Sequence, residues 1–250
     1  MNGLRKVLTL ILCFLFPTRF VFWALNLMGH TIHAQSKIGF SILWINGKLT
    51  LEQSTSIGHF NLIRIDSLLI KEGGYIGRFN KLSGPFAIIL NETAAIGNSN
   101  KANRAPMGIT YGAAVLELGV LSKITGNHRL DLTRSIHIGK YSILAGHESQ
   151  LWTHAYYHDK EGPGRFRIDG SIVIGNNVYI GSRCIINGGV QIVDAVVVGS
   201  NSCVSKSLVE PGTYVSQALR YIAANGQDAR LKFQKVEGYE LCEEVYEKKE

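Results

Sequence analysis

Two histidines four residues apart, His154 and His158, stand in the segment LWTHAYYHD. An imidazole titrates close to neutral pH, so it can take a proton from a hydroxyl as that oxygen attacks and hand the proton on afterwards. Such a base needs a second group, a carboxylate or a backbone carbonyl, to hold the ring. The nearby carboxylates are Glu148, Asp159 and Glu161, and the sequence does not choose among them. The four cysteines, Cys13, Cys184, Cys203 and Cys242, show neither metal-site spacing nor a paired framework, which fits reduced thiols in a cytoplasmic protein.

The elements that must position these groups are repeats. Every sixth residue from Ile174 is aliphatic: Ile174, Ile180, Ile186, Ile192, Val198 and Val204. Val178, Cys184, Val190, Val196, Ser202 and Leu208 follow four places after each. A helix would repeat at three and four residues and a lone strand at two, so a sustained period of six is one short strand plus one turn per hexad. The aliphatic residue points inward, and the small residue behind it (Gly175, Gly181, Asn187, Val193, Gly199, Ser205) is expected to let the chain turn. Three hexads close a triangular coil of about 18 residues, and coils stack about 4.8 Å apart.

The same period appears in Ile70, Ile76, Leu82 and Ile88, shifts to Leu90 and Ile96, returns in Leu118, Ile124, Leu130 and Ile136, and slips again to Ile138 and Leu144. Residues 98–107, with Lys101 and Arg104, read as a solvated loop. Residues 150–171, QLWTHAYYHDKEGPGRFRIDGS, are too polar and aromatic for the inside of a narrow coil and must project outward. The histidine pair lies in that projection.

The expected organisation is an apolar helical segment over residues 1–36, a repeat domain over 37–222 with the projecting loop, and a tail over 223–250. A short terminal helix in ELCEEVYEKKE would cap the open end of the last coil. The N-terminal segment holds two apolar runs, at 7–16 and 20–28, divided by Pro17, Thr18 and Arg19. Arg19 at the centre disfavours a span, and no small-residue cleavage site follows. Residues 1–29 therefore read as helices lying in a membrane interface, with packing on another subunit as the alternative. The net charge of +7 favours anionic partners. The basic residues are scattered and no nucleic-acid motif appears, which sets nucleic acid aside.

The run IVIGNNVYIGSRCIINGGVQIVDAVVVGSNSCVSKSLVEPGTYV resembles the hexapeptide-repeat acyltransferases, and within them the bacterial sugar O-acetyltransferases. The resemblance implies an all-β, left-handed parallel β-helix that assembles as a homotrimer. It also implies acetyl-CoA as donor substrate, no metal, and a sugar or lipid-linked glycan acceptor, as in surface-polysaccharide synthesis at the inner face of the cell membrane. By the same resemblance His154 is the general base, 28 residues before Ser182 in YIGSRC, and His158 and Asn127 bind the acceptor. Ser182, Ser200, Ser205, Lys206 and Arg220 hold coenzyme A. Two departures touch the adenine pocket: SQALRY replaces the usual exit loop, and Tyr179 stands where a tryptophan is common. The alternatives are an N-acetyltransferase acting on an amino sugar, a γ-carbonic-anhydrase-like enzyme using His128, His154 and His158 for a metal, and a non-catalytic trimeric scaffold.

Overall fold

Stacked hexads need parallel pairing, each strand lying beside its counterpart one coil away. The computed structural model, which describes residues 18–216, 230–238 and 244–248, shows this pairing throughout. The chain winds as a left-handed parallel β-helix whose three faces are sheets of eight, nine and eight strands. The first face runs from Thr31–Ile32 to Gln191–Ile192, the second from Lys37–Ile38 to Gly212–Tyr214, and the third from Ile42–Ile45 to Cys203–Val204.

The hexad aliphatics fill the interior as their spacing predicts. Ile180, Ile186 and Val198 are at most 1% exposed, and the earlier series through Ile76, Ile88, Leu118 and Ile136 is equally buried. Each such side chain contributes about 1.5–3 kcal/mol of burial. The small residue that follows does a different task from the one expected. At Gly181 the backbone is not left-handed. Instead, a Cβ there would lie 2.6 Å from Ser200 Oγ and 2.7 Å from Ser200 N, so the position is small because the next coil presses on it. The left-handed residues come two places later, at Asn177, Arg183, Ala195 and Asn201.

A ladder of buried polar side chains runs up the edge between the second and third faces. Asn61 Oδ1 accepts from Asn80 N (2.9 Å), Asn80 Oδ1 from Asn100 N (2.8 Å), and Asn100 Oδ1 from His128 N (2.9 Å). His128 Nδ1 accepts from Ser149 N (3.1 Å), and Ser149 Oγ from Cys184 N (3.1 Å). Each rung satisfies a backbone N–H that the corner leaves without a sheet partner. Asn80→Ala strands the Asn100 N–H and withdraws the donor from Gly97 O. At about 1–3 kcal/mol per buried group left unpaired, a loss of about 3 kcal/mol is expected, read as a lower urea midpoint at unchanged slope.

The ends and the excursions depart from expectation in three places. Residues 98–103 stay within the helix, since Lys101–Asn103 is a third-face strand, and the chain leaves only over 104–114. Arg104 is buried there rather than solvated, donating from Nη1 to Pro85 O and from Nη2 to Tyr111 O and Gly112 O. The projection after Trp152 is a hairpin, His154–His158 paired antiparallel with Arg165–Asp169. The described part of the tail is strand where a helix was expected. Glu244–Lys248 adds in parallel to Arg165–Asp169, and Phe233–Lys235 adds beyond it. EVYEK suits a strand that buries Val245 on one face and, on the other, Tyr246 against Phe166.

Helix Thr18–Leu27 packs Val21, Phe22 and Leu25 onto the first coil, and leaves Phe20, Trp23 and Leu27 exposed on its other side. Among the described residues no helix is long and apolar enough to cross a membrane. Residues 1–17, which carry the first apolar run, lie outside the described residues, as does Arg220.

Candidate active site

The edge between the third and first faces is where both excursions leave. Strand Arg129–Asp131 ends there, and one coil later Gln150–Trp152 ends in Thr153 and His154. This stacking brings Asp131 against His154. Asp131 Oδ2 lies 2.8 Å from His154 Nδ1, 3.0 Å from Thr153 N and 2.7 Å from Thr153 Oγ1, and Oδ1 accepts from Thr133 Oγ1 at 2.9 Å. An ionised carboxylate only accepts, so Nδ1 carries the proton and the lone pair sits on Nε2. Nε2 makes no hydrogen bond among the described residues, and the side chain is 29% exposed. The arrangement is that of a base held in one tautomer, aimed outward.

The electrostatics agree. The hydrogen bond to Asp131 raises the His154 pKa, against burial, which lowers it. Burial alone would push the Asp131 carboxyl up, but the bond and charge of His154 and the hydroxyls of Thr153 and Thr133 outweigh it and hold the group below the usual carboxylate range. Behind His154, its hairpin partner Asp169 is fully buried and bridged by Arg167 (Nε to Oδ1 2.8 Å, Nη2 to Oδ2 3.0 Å). Arg167 Nη1 donates to Ile109 O at 2.9 Å, which ties the hairpin to the 104–114 excursion. Arg134 pairs with Glu247 and so fastens the tail strand to the same edge.

None of the three expected carboxylates orients His154. Glu148 sits in a left-handed corner on the edge between the second and third faces, paired with Arg183 at 2.9 Å. Asp159 is near the hairpin tip with Arg230 at 3.1 Å, and Glu161 is exposed in the turn. Spacing alone does not point to Asp131, because the coil from Leu130 to Leu151 is longer than three hexads and His154 lies two places beyond the level of Asp131. Asn127 is not brought to His154 either. It occupies a left-handed corner at the far side of strand Arg129–Asp131. The asparagine one coil before Asp131 is Asn103, in register with it. Asn103 and Asp131 share with Trp152, Lys101 and Arg129 a cleft of about 130 Å³. His158 shares the His154 face of its strand, about 13 Å further out. Between them, Tyr156 meets the His154 ring edge-on at 6.0 Å, as Trp152 does from the other side at 6.3 Å.

Ser182 and Ser200 stack as their separation predicts, Ser200 Oγ accepting from Ser182 N at 3.2 Å. They lie on the edge between the second and third faces, away from His154. Ser205 and Lys206 are exposed on the His154 edge, two coils beyond it. His128, fully buried, has Nδ1 bound to Ser149 N and Nε2 within 3.0 Å of Thr125 Oγ1. Burial, with the nearby charge of His147, lowers its pKa to about 4. Both nitrogens serve the corner, so it does not join His154 and His158 as a metal ligand.

No protein-family model matches the chain, and no curated protein matches it. Among solved structures it is similar to the polysialic acid O-acetyltransferase OatWY, with 19% identity over 80% of this chain and 91% of that one and a TM-score of 0.46. It is similar to the polySia-specific acetyltransferase NeuO, with 16% identity over 75% and 79% and a TM-score of 0.40. A third likeness is to a variant of AntD, an N-acyltransferase from Bacillus cereus in complex with dTDP and coenzyme A. It has 14% identity over 86% and 94%, with a TM-score of 0.27.

Proposed function

We propose that this protein is an acetyl-CoA-dependent O-acetyltransferase acting on a sugar hydroxyl. The observation that carries the reading is the His154–Asp131 pair, a base with one nitrogen fixed and the other free, whose carboxylate partner lines a cleft with Trp152 and Asn103. His154 Nε2 takes the acceptor hydroxyl proton as the oxygen attacks the thioester carbonyl, and the imidazolium so formed faces the Asp131 carboxylate. Backbone N–H groups hold the oxyanion. The C–S bond then breaks, and the proton passes from His154 to the departing thiolate.

The donor lies along the coils beyond His154, with Lys206 at its phosphates. Ser182 and Ser200 come from the facing edge of a neighbouring subunit in a homotrimer, because in one chain they and His154 lie on different edges. The acceptor lies on the coils before His154. The apolar stripe of helix Thr18–Leu27 and the run before it hold the enzyme at a membrane surface, where a lipid-linked glycan is presented.

Calorimetric titration with acetyl-CoA tests the donor site without knowledge of the acceptor. About one molecule per chain should bind wild type, and Lys206→Ala should weaken binding about tenfold by removing one phosphate contact. No binding at millimolar acetyl-CoA would end the reading.

A further inference from the structure

The outward positions of the third face carry a row of positive charge. Lys81, Lys101 and Arg129 are in direct register on adjacent strands, and Arg64 stands one strand earlier in the neighbouring column. All four are exposed, and none makes an ion pair among the described residues. The strands of this face contain one acidic residue, Asp131, and its carboxylate is committed to His154, Thr133 and Thr153. The corner acids nearest the row, Asp66 and Glu148, are engaged by Asn46 and Arg183. Like charges directly opposite on neighbouring strands repel, and at about 4.8 Å per strand each lies well within a Debye length of about 8 Å of the next. A fold does not need such a row, which acts as a concentrated anion site.

The row also has a direction. Its last members, Lys101 and Arg129, line the cleft that contains Asn103, Asp131 and Trp152, and Asp131 touches His154. Beside it runs the uncharged column Ser83 and Asn103, in register with each other and with Asp131. Positive charges at strand spacing, polar groups suited to hydroxyls and an aromatic ring at the reacting end describe a track for a chain of sugars bearing repeated negative charge. A free small anion would need one or two of these groups and not their extension over three coils. Three copies of the row around a symmetry axis would repel one another. The first and second faces, which present Leu69, Ile89 and Val115, and Tyr75 and Ile143, suit subunit contact better and leave the third face open.

Resting on the acetyltransferase reading, we infer that the acceptor is an anionic glycan, carrying carboxylates or phosphodiesters. It lies along Arg64, Lys81, Lys101 and Arg129 with its reacting unit beside Trp152 and next to His154. The test compares wild type, K101Q/R129Q, and K37Q/K48Q, which removes two exposed charges off the row. Each is titrated with oligogalacturonate, with poly(ribitol phosphate), with dextran of similar length, and with acetyl-CoA.

Wild type should bind one or both anionic polymers and not dextran, preference between the two telling carboxylate from phosphate. K101Q/R129Q should lose that binding at least tenfold, K37Q/K48Q should lose less than twofold, and acetyl-CoA binding should be the same in all three. Equal losses in both variants would reduce the effect to net charge and overturn the inference. So would binding of dextran as well as the anionic polymers, binding of neither, weakened acetyl-CoA binding or an altered oligomeric state in K101Q/R129Q, or row-dependent binding of phosphatidylglycerol vesicles in place of glycans. Failure of acetyl-CoA to bind wild type is a separate outcome, which removes the enzymatic reading itself.

Discussion

His154→Ala should transfer acetyl groups about 10²–10⁴-fold more slowly than wild type while binding acetyl-CoA equally well, the range that positioned general bases supply. The effect belongs in kcat because proton transfer occurs only in the transition state. The substitution removes a side chain that is partly exposed at the start of a hairpin, and the backbone pairing of His154 with Asp169 remains. Thermal unfolding should therefore stay close to wild type. Single-turnover release of coenzyme A with a saturating acceptor is the direct measurement. Full activity in a well-folded variant would transfer the base to another group.

Asp131→Asn is the second large effect, and its signature lies in pH. In wild type the bond to Asp131 raises the His154 pKa above its ordinary 6.5. Below that raised value the ring is protonated and cannot accept a proton, so kcat/KM should fall on the acid side from a point above 6.5. The amide that replaces the carboxylate removes both the charge and the obligatory acceptor. The acid limb should then move toward lower pH, while the maximum drops about 10²-fold because Nδ1 is no longer compelled to hold the proton. A purely structural role for Asp131 would lower activity without moving the limb. Acetyl-CoA affinity, set two coils away, should not change.

The parts of this molecule that were legible in its sequence are those governed by period. Ile174 to Val204 point inward because each hexad presents an aliphatic residue at its inward position. The projection around His154 was legible because aromatic and charged residues cannot enter a narrow triangular interior. What stayed hidden depends on which residues one coil brings together. Asp131 in RLDLTRS looks like any surface acid beside an inward Leu130, and only the stacked register places it one strand position from Thr153 and two from His154. Asn127 is the acceptor ligand that the resemblance implies. The corner after Gly126 turns it to another edge. Arg104 looked solvated because its loop is polar, yet the excursion folds back to give its guanidinium three carbonyls. The tail read as a helix from its charge, whereas Val245 and Tyr246 serve a partner strand far upstream that no local pattern announces.

That partnership between Arg165–Asp169 and Glu244–Lys248 has a consequence in time. A solenoid can wind coil by coil as the ribosome extends it, each turn settling on the one already made. The hairpin that carries His154 emerges midway, but the strand that flanks it, and the Glu247 that anchors that strand through Arg134, are translated much later. A nascent chain can thus complete its later coils while the His154 hairpin still lacks a wall. The polypeptide acquires its scaffold before its chemistry.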